Sequence, residues 1–600
     1  MNHRHKALSA SVCAALSLAG RTFAQEPAEL PIPLSPLPAE QSIIEEYHIE
    51  TAKIGAKPRS FARAADAKIP GDFSPWWIRG QNNSIGESRG KEITVEDLYL
   101  RALRNSKQIR VFSDLPVIRE TGMQEARGAF DTNAFVEGKF DHANDPVGNT
   151  LTTGGASRFV QDSWAFEAGA KKKFLSGAEV TLSQKAGQLA NNSIYFTPNS
   201  QSTGKLSLSI VQPLLRGAGF AYNRATMEIA KLDSGIAMSE FVRQSESHLL
   251  EITRTYWALY AARVTYLQKA KLVDETARVT DELKGRQKVD AKQSQLFRAQ
   301  SALASRRSDL IRTEAAIRNA QDRLKALTSD PTLLASANVE LIPHDRLVLT
   351  SGPVNPQQAA REALENRPEI NQAFLQLRAA TIRENMQRNE LLPELNLILE
   401  GSLGGLSGGD YADAYGKQYN QGGPGYAAGF VFSIPLENNI AKARLERRRL
   451  ELRQQLDQLK TTIDTVLLEV QISAREVGTA YRETQAKYAA VKAFTEDVES
   501  LEARRTLQTS SPAPGADEAS QTATYLDTLL DSQDRRSSSE EEFIRAAANY
   551  QIAIVNLERA KGKLLNYSDV TVMRSKDGKG LPQLYLEKGA RDGKSARAGK

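Results

Sequence analysis

The sequence predicts a mainly α fold with β segments, in which one helix–strand–strand–helix unit is built twice. Three observations carry this: an internal repeat, apolar seams of unusual length at helical spacing, and short stretches of period two. Ala102-Leu103-Arg104-Asn105 recurs as Ala363-Leu364-Glu365-Asn366, an offset of 261 residues that also sets Ile109 against Ile370, Arg127 against Arg388 and Phe130 against Leu391. A chain built twice from one unit is a structural duplication, and its function is expected to belong to shape.

Composition narrows the class. With 25% charged and 40% hydrophobic residues among 600, the chain reads as an ordinary folded protein. Residues 1–24 read as a signal peptide: Asn2-His3-Arg4-His5-Lys6 is basic, Ala7 to Gly20 apolar, and Thr22-Phe23-Ala24 a cleavage site. The single cysteine, Cys13, falls inside it, so the exported chain is expected to hold no thiol, disulfide or Cys-based metal site. Residues 25–93 form a Pro-rich, irregular segment, with Trp76-Trp77 as its expected anchor. Repeat one runs over 94–330, a linker over 331–353 and repeat two over 354–566. Residues 567–600 are expected to be a basic, disordered tail. From position 574 onward, eight Lys/Arg face three acids, which accounts for most of the formal +6. A charge confined to a Gly-rich tail is a solvated end and gives no nucleic-acid site.

The helices are predicted from their seams. Leu249, Ile252, Tyr256, Leu259, Tyr266, Ala270, Val273 and Ala277 share one 3–4 spacing, with Arg263 as the polar exception. Leu296, Leu303, Leu310, Ile317 and Leu324 recur every seven residues. Repeat two answers with Leu456, Leu459, Ile463, Val466, Val470, Val477 and Ala480, then with Phe543, Ala547, Tyr550, Ile554 and Leu557. Sustained heptads mean coiled-coil packing. No proline interrupts 220–287, so one helix of about 100 Å fits there.

The strands alternate. Val180 and Leu182, then Leu206, Leu208 and Ile210, then Leu395, Leu397 and Leu399, then Phe430, Phe432 and Ile434 each give an apolar face. Such strands suit a sheet on a core or a barrel wall. The repeat offset drops to 222 after the strands, so repeat one carries 39 extra residues, which add a strand pair around Ser176-Gly177. No stretch approaches the roughly 18 apolar residues of a spanning helix.

These residues together resemble the TolC-like outer-membrane efflux family over 94–566. The resemblance is carried by the two Ala-Leu-X-Asn helix openings and by Arg388-Asn389-Glu390-Leu391-Leu392-Pro393-Glu394-Leu395 at the helix-to-strand junction. Gln212-Pro213-Leu214-Leu215-Arg216-Gly217 at the strand-to-helix junction and Leu529-Leu530-Asp531-Ser532-Gln533 past the second tip add to it. Pro435-Leu436 closes the second strand block as Pro213-Leu214 closes the first. The resemblance implies a homotrimer in which each chain gives four strands to a shared transmembrane β-barrel. Its long helices would form an α-barrel tunnel continuous with that barrel. It also implies an exit duct for solutes in the outer membrane, bordered by lipid. A periplasmic membrane-fusion adaptor would dock on it, and an inner-membrane transporter of the RND, ABC or MFS class would feed it. The family's tip acids match Asp531, with Asp527 one place from the second. In repeat one the equivalents are Gln295 and, where the family has glycine, Asp290. These four are the gate candidates, and Ser510-Ser511-Pro512-Ala513-Pro514-Gly515 lengthens the second tip.

A second reading is a periplasmic coiled-coil scaffold or adhesin without channel activity. Enzymatic readings fall away. Gly405-Leu406-Ser407-Gly408-Gly409 fits a hydrolase nucleophile turn, but a Gly/Tyr-rich stretch with Tyr411, Tyr415 and Tyr419 follows, and an external loop is expected there. Gly217-Ala218-Gly219 lacks the third glycine of a dinucleotide turn. The six histidines (3, 5, 48, 142, 248, 344) stand at no metal-ligand spacing, and no cofactor is expected.

Overall fold

The computed structural model describes residues 45–47, 49, 69–70, 73–81, 85, 89–286, 293–335, 339–350, 354–421, 423–510, 518–573 and 581–586. The signal peptide, Cys13, Asp290 and most of the 510–515 insertion lie outside them. The chain divides into two units, 1–54 and 55–600. In the first, residues 45–47 and 49 are helical. The elements from Trp77 onward all lie in the second.

Its first elements are α1 (Trp77–Gln81), β1 (Arg89–Ile93), α2 (Val95–Asn105) and α3 (Lys107–Gly128). Thr94 caps α2 by accepting from the Asp97 N–H. Four strands follow: β2 (Thr132–Pro146), β3 (Arg158–Lys173), β4 (Glu179–Asn191) and β5 (Ser200–Pro213). Next come α4 (Phe220–Arg286), α5 (Gln293–Thr328), α6 (Pro331–Leu334) and β6 (Val339–Pro343). The second half opens with α7 (Pro356–Asn366) and α8 (Pro368–Glu390), then β7 (Glu394–Ser407), α9 (Tyr411–Asn420) and β8 (Gly425–Ser433). It closes with α10 (Asn439–Ser510), α11 (Glu518–Ala560), α12 (Leu564–Tyr567), β9 (Val570–Met573) and β10 (Gln583–Leu586).

The proline-free stretch does form one helix: α4 has 67 residues and α10 has 72. Helices α4 and α5 pack as one hairpin, α10 and α11 as another, and α4 also lies along α11. The main core gathers Leu249, Ile252, Tyr256 and Leu259 of α4, Ile317 and Leu324 of α5, and Phe543 and Ile544 of α11. The seam drifts toward the end of α4, where Leu272, Val279 and Leu283 are buried in place of Val273 and Ala277. A helix at 3.6 residues per turn slips against a strict 3–4 pattern, which moves the buried face.

The Pro-rich segment is not wholly irregular. Trp77 is 1% exposed in the main core, and Phe73 meets the Tyr488 and Phe543 rings edge-on. Strand β1 pairs in parallel with β6, so the linker residues 339–343 are part of the fold. In the stretch expected as a disordered tail, β9 and β10 form an antiparallel pair.

The large sheet corrects the central expectation. It has six strands, in the order β2-β3-β4-β5-β7-β8, all antiparallel. The resemblance implied four strands, and the extra pair announced by the 39 additional residues of repeat one lies in the sheet itself. Strands β2 and β8 each have one neighbour, so the sheet is open and closes into no barrel. Among the described residues, no helix is long and apolar enough to cross a membrane. The expected transmembrane β-barrel, with its continuous tunnel, is therefore not closed by this chain, whose sheet ends in two unpaired edges. The outer-membrane placement and exit-duct activity that rested on that barrel lose their structural basis. The physical reason is plain: alternation specifies which way side chains face, and it carries no information about closure.

Register aligns one apolar face across all six strands, from Val136 and Phe140 through Trp164, Leu182, Leu208 and Leu399 to Phe430 and Phe432. All eight of these side chains are exposed.

Candidate docking site at the hairpin ends

The ends of the two hairpins meet in an apolar cluster of their own. Val279 and Leu283 of α4, Leu296 and Ala299 of α5, Val498 of α10 and Leu526, Leu529 and Leu530 of α11 are buried together. Four helix ends thus share one small core, and polar residues ring it. Asp527 is ion-paired with Arg298 of α5, joining the two hairpins. Asp531 does not join them: it pairs with Arg535 on its own helix at 2.7 Å, and both side chains are 62% exposed. Gln295 stands half-buried beside Leu296 in the first turn of α5. The structure brings Gln295, Asp527 and Asp531 to the same end, where Asp527 is engaged and Asp531 is open to solvent.

Buried polar layers then lock the helices in register. The Arg306 guanidinium donates to the Leu530 carbonyl at 2.8 Å and to the Thr276 hydroxyl, and reaches Asp534 at 3.4 Å. Burial pulls its pKa below the usual arginine value, against the pull of the acids around it. One layer on, Arg536 grips both oxygens of Glu275 at 2.6 and 2.7 Å. The Trp76 indole then donates to Glu540 at 3.1 Å while Lys271 sits 4.5 Å over its ring. Burial raises the Glu540 pKa, although the Trp76 hydrogen bond opposes it. At the next level Arg263, the polar exception in the α4 seam, is 1% exposed and ion-paired with Glu340 of β6. A buried charge is tolerated only when paired, and each of these pairs ties two elements together.

The strand–helix junctions converge at the other end. The Arg216 N–H donates to the Pro393 carbonyl at 3.2 Å, and Pro213 stands opposite Asn396 where β5 meets β7. Asn389 accepts from the Gly217 N–H at 2.7 Å, and Asn438, just past Pro435, donates to the Leu391 carbonyl at 3.1 Å. Gly177, at φ +92°, sits in the same knot, where a Cβ would lie 2.7 Å from the Gly217 carbonyl. All three prolines therefore stand at strand–helix junctions on one end of the sheet, Pro393 before a strand and Pro213 and Pro435 at the close of theirs.

The Gly/Tyr-rich stretch after Ser407 is not a loop but the helix α9, laid across β5 and β7. A Cβ on Gly405 would stand 2.1 Å from the Ala414 carbonyl, so only glycine admits this approach. Gln418 is fully buried there and exchanges amide hydrogen bonds with Gln184 of β4. The Ser407 hydroxyl donates to Asp413 at 2.5 Å from inside the strand, an arrangement unlike a nucleophile turn. Among the described residues, no group of three His, Cys, Asp or Glu side chains is placed to hold a metal. Sequence reading missed α9, although Tyr411, Tyr415 and Tyr419 recur at i, i+4. It also missed Glu340, whose partner lies 77 positions away.

No family model and no curated protein matches the sequence. Solved structures do match the fold. The CmeC outer membrane channel of Campylobacter jejuni aligns at a TM-score of 0.57 and 13% identity, over 89% of this chain and 94% of that one. The outer-membrane channel OprN aligns at 0.56 and 16%, over 85% and 99%. A membrane protein from Pseudomonas aeruginosa aligns at 0.56 and 17%, over 78% and 90%. At low identity and over most of its length, the chain shares the fold of several TolC-like outer-membrane channel structures. Identity at this level carries the fold and leaves activity to be argued separately.

Proposed function

We propose that this chain is a non-catalytic coiled-coil scaffold of the periplasm, assembled as a homotrimer and docking its partners at the hairpin ends. The observation that carries the reading is the pair of hairpins fused by one apolar cluster and locked by buried ion pairs: a rigid rod end with a charged rim. Organisation into the repeats 94–330 and 354–566 about the linker 331–353 belongs to this reading, each repeat supplying one hairpin. Two unpaired sheet edges and one exposed apolar face call for copies of the same chain, since such surfaces seldom stay uncovered. At the rim, Gln295, Asp527 and Asp531 offer donors and carboxylates to a helical partner. A periplasmic membrane-fusion adaptor has that form, and an inner-membrane transporter would be reached through it. That the similar structures are described as outer-membrane channels supports a role for this scaffold in an envelope assembly.

Site-directed cross-linking tests both surfaces. Cys13 is the only cysteine and lies outside the described residues, so single cysteines placed elsewhere report cleanly in a Cys13→Ser background. Phe297→Cys, at the hairpin end, should cross-link to an adaptor identified by mass. Val136→Cys, on the edge strand β2, should cross-link copies of the chain into a trimer ladder. Adaptor capture from Val136→Cys, with none from Phe297→Cys, would refute the assignment of surfaces.

A further inference from the structure

Where the two halves of the chain meet, α4, α8, α10, α11 and α12 enclose a cluster of charges that none of the roles above uses. Glu246 of α4 is 3% exposed at its centre. From α8 and its cap come Glu369 and Arg367, from α10 Glu469, and from α11 Arg559. Arg367 is ion-paired with Glu469 at 2.5 Å, and Arg559 reaches the other oxygen of Glu469 at 3.1 Å. One turn back on α4, Arg243 pairs with Glu240 at 2.5 Å. Arg367 Nε stands 3.1 Å from Glu369 Oε2, yet neither atom has an aligned hydrogen bond. Four carboxylates therefore face three guanidiniums, and Glu246 makes no ion pair among the described residues. Asn371 of α8 donates to Ser239 of α4 at 2.9 Å, and Leu375 packs at Gly235. The start of α8, with Arg367 and Glu369, thus runs beside the stretch of α4 that holds Glu246, while Leu565 of α12 shares a core with Leu249 and Leu250 of α4. Lys563, just before α12, is engaged with Glu362 at 3.4 Å. His248, two positions on, faces elsewhere, toward Ser106 and the Leu327 carbonyl.

We propose that this cluster is a pH-operated latch between the two halves: a proton on Glu246 lets α8 and α12 seat against α4, and its loss loosens them. The proton-free form sets a second carboxylate, without an ion pair of its own, near Glu369 in a buried place, which costs far more than in water. Burial, and after it the Glu369 carboxylate, raise the Glu246 pKa to about 7, against the opposing pull of Arg367, Arg559 and the Leu565 N–H. A carboxyl held above its unfolded value binds more protons folded than unfolded. The latch is therefore fully closed in acid and is lost as pH rises through about 7. Glu240 runs the opposite way, since Arg243 lowers its pKa, and it acts only in acid. His248, lowered by burial, also loses stability toward acid.

Hydrogen exchange on the full-length protein tests this at about pH 5.5 and about pH 8.5, corrected for intrinsic rates. Amides of 368–374 and 564–568 should exchange about tenfold faster at the higher pH, with a midpoint near 7, and Glu246→Gln should abolish the difference. If that variant fails to fold, Glu369→Gln supplies the second reading: removing the neighbouring charge should move the midpoint to lower pH. Equal protection at both pH values in the wild-type protein overturns the proposal. So does a midpoint that follows His248→Asn and ignores Glu369→Gln.

Discussion

Arg263 shows what a single residue discloses and what it hides. As the one charged position in an otherwise apolar seam it is visible in the sequence as an anomaly, and an anomaly in a core is a demand for a partner. Nothing local identifies that partner: Glu340 lies in the linker, on the far side of the 36-residue helix α5. Removing one member of a buried pair strands the other, so Arg263→Ala should cost roughly 3–5 kcal/mol in denaturant unfolding. Arg263→Met combined with Glu340→Gln should recover most of that loss, because neither charge is then left unpaired. Asp527 belongs to the other class. Its Arg298 partner is 72% exposed, and screening by solvent leaves such pairs little. Asp527→Ala should therefore change unfolding stability by less than about 1 kcal/mol. A loss several times larger would mean that the pair is shielded in the assembled protein.

At the scale of elements, the long helices were legible because their signal is redundant. Heptads over dozens of residues and the absence of proline point the same way in α4 and α10. The drift of the buried face toward Leu272 and Val279 was not legible, since a slip between two helical periods appears only once the partner helix is placed. Helix α9 was hidden for another reason. Its flanks, Gly408-Gly409 and Gly422-Gly423, read as loop, while the surface that selects a helix is the pair of glycines, Gly204 and Gly405, on strands beneath it. Gly405→Val should unseat α9: cleavage by trypsin at Lys417 should become fast while the long helices keep their circular dichroism. Unchanged protection at Lys417 would mean that α9 is held by the Gln184–Gln418 contact alone.

For the whole molecule, the proposed duplication rests on the Ala-Leu-X-Asn openings, and the kinship of fold was readable from the junctions at Pro213, Pro393 and Pro435. The strand count was half readable: the change of repeat offset announced an extra pair, and the register that places it in the sheet came from the structure. Closure was not readable, because an alternating strand looks the same in an open sheet and in a barrel. A six-stranded sheet with two unpaired edges supports association between copies, and two hairpins locked by Arg306, Arg536 and Arg263 support a rigid docking rod. The most direct test of this scaffold account is the conductance of the purified, trimeric full-length protein added to planar lipid bilayers. The account predicts a flat baseline at every voltage, with adaptor binding intact in a parallel pull-down. Discrete, reproducible conductance steps that scale with the amount of trimer would contradict it.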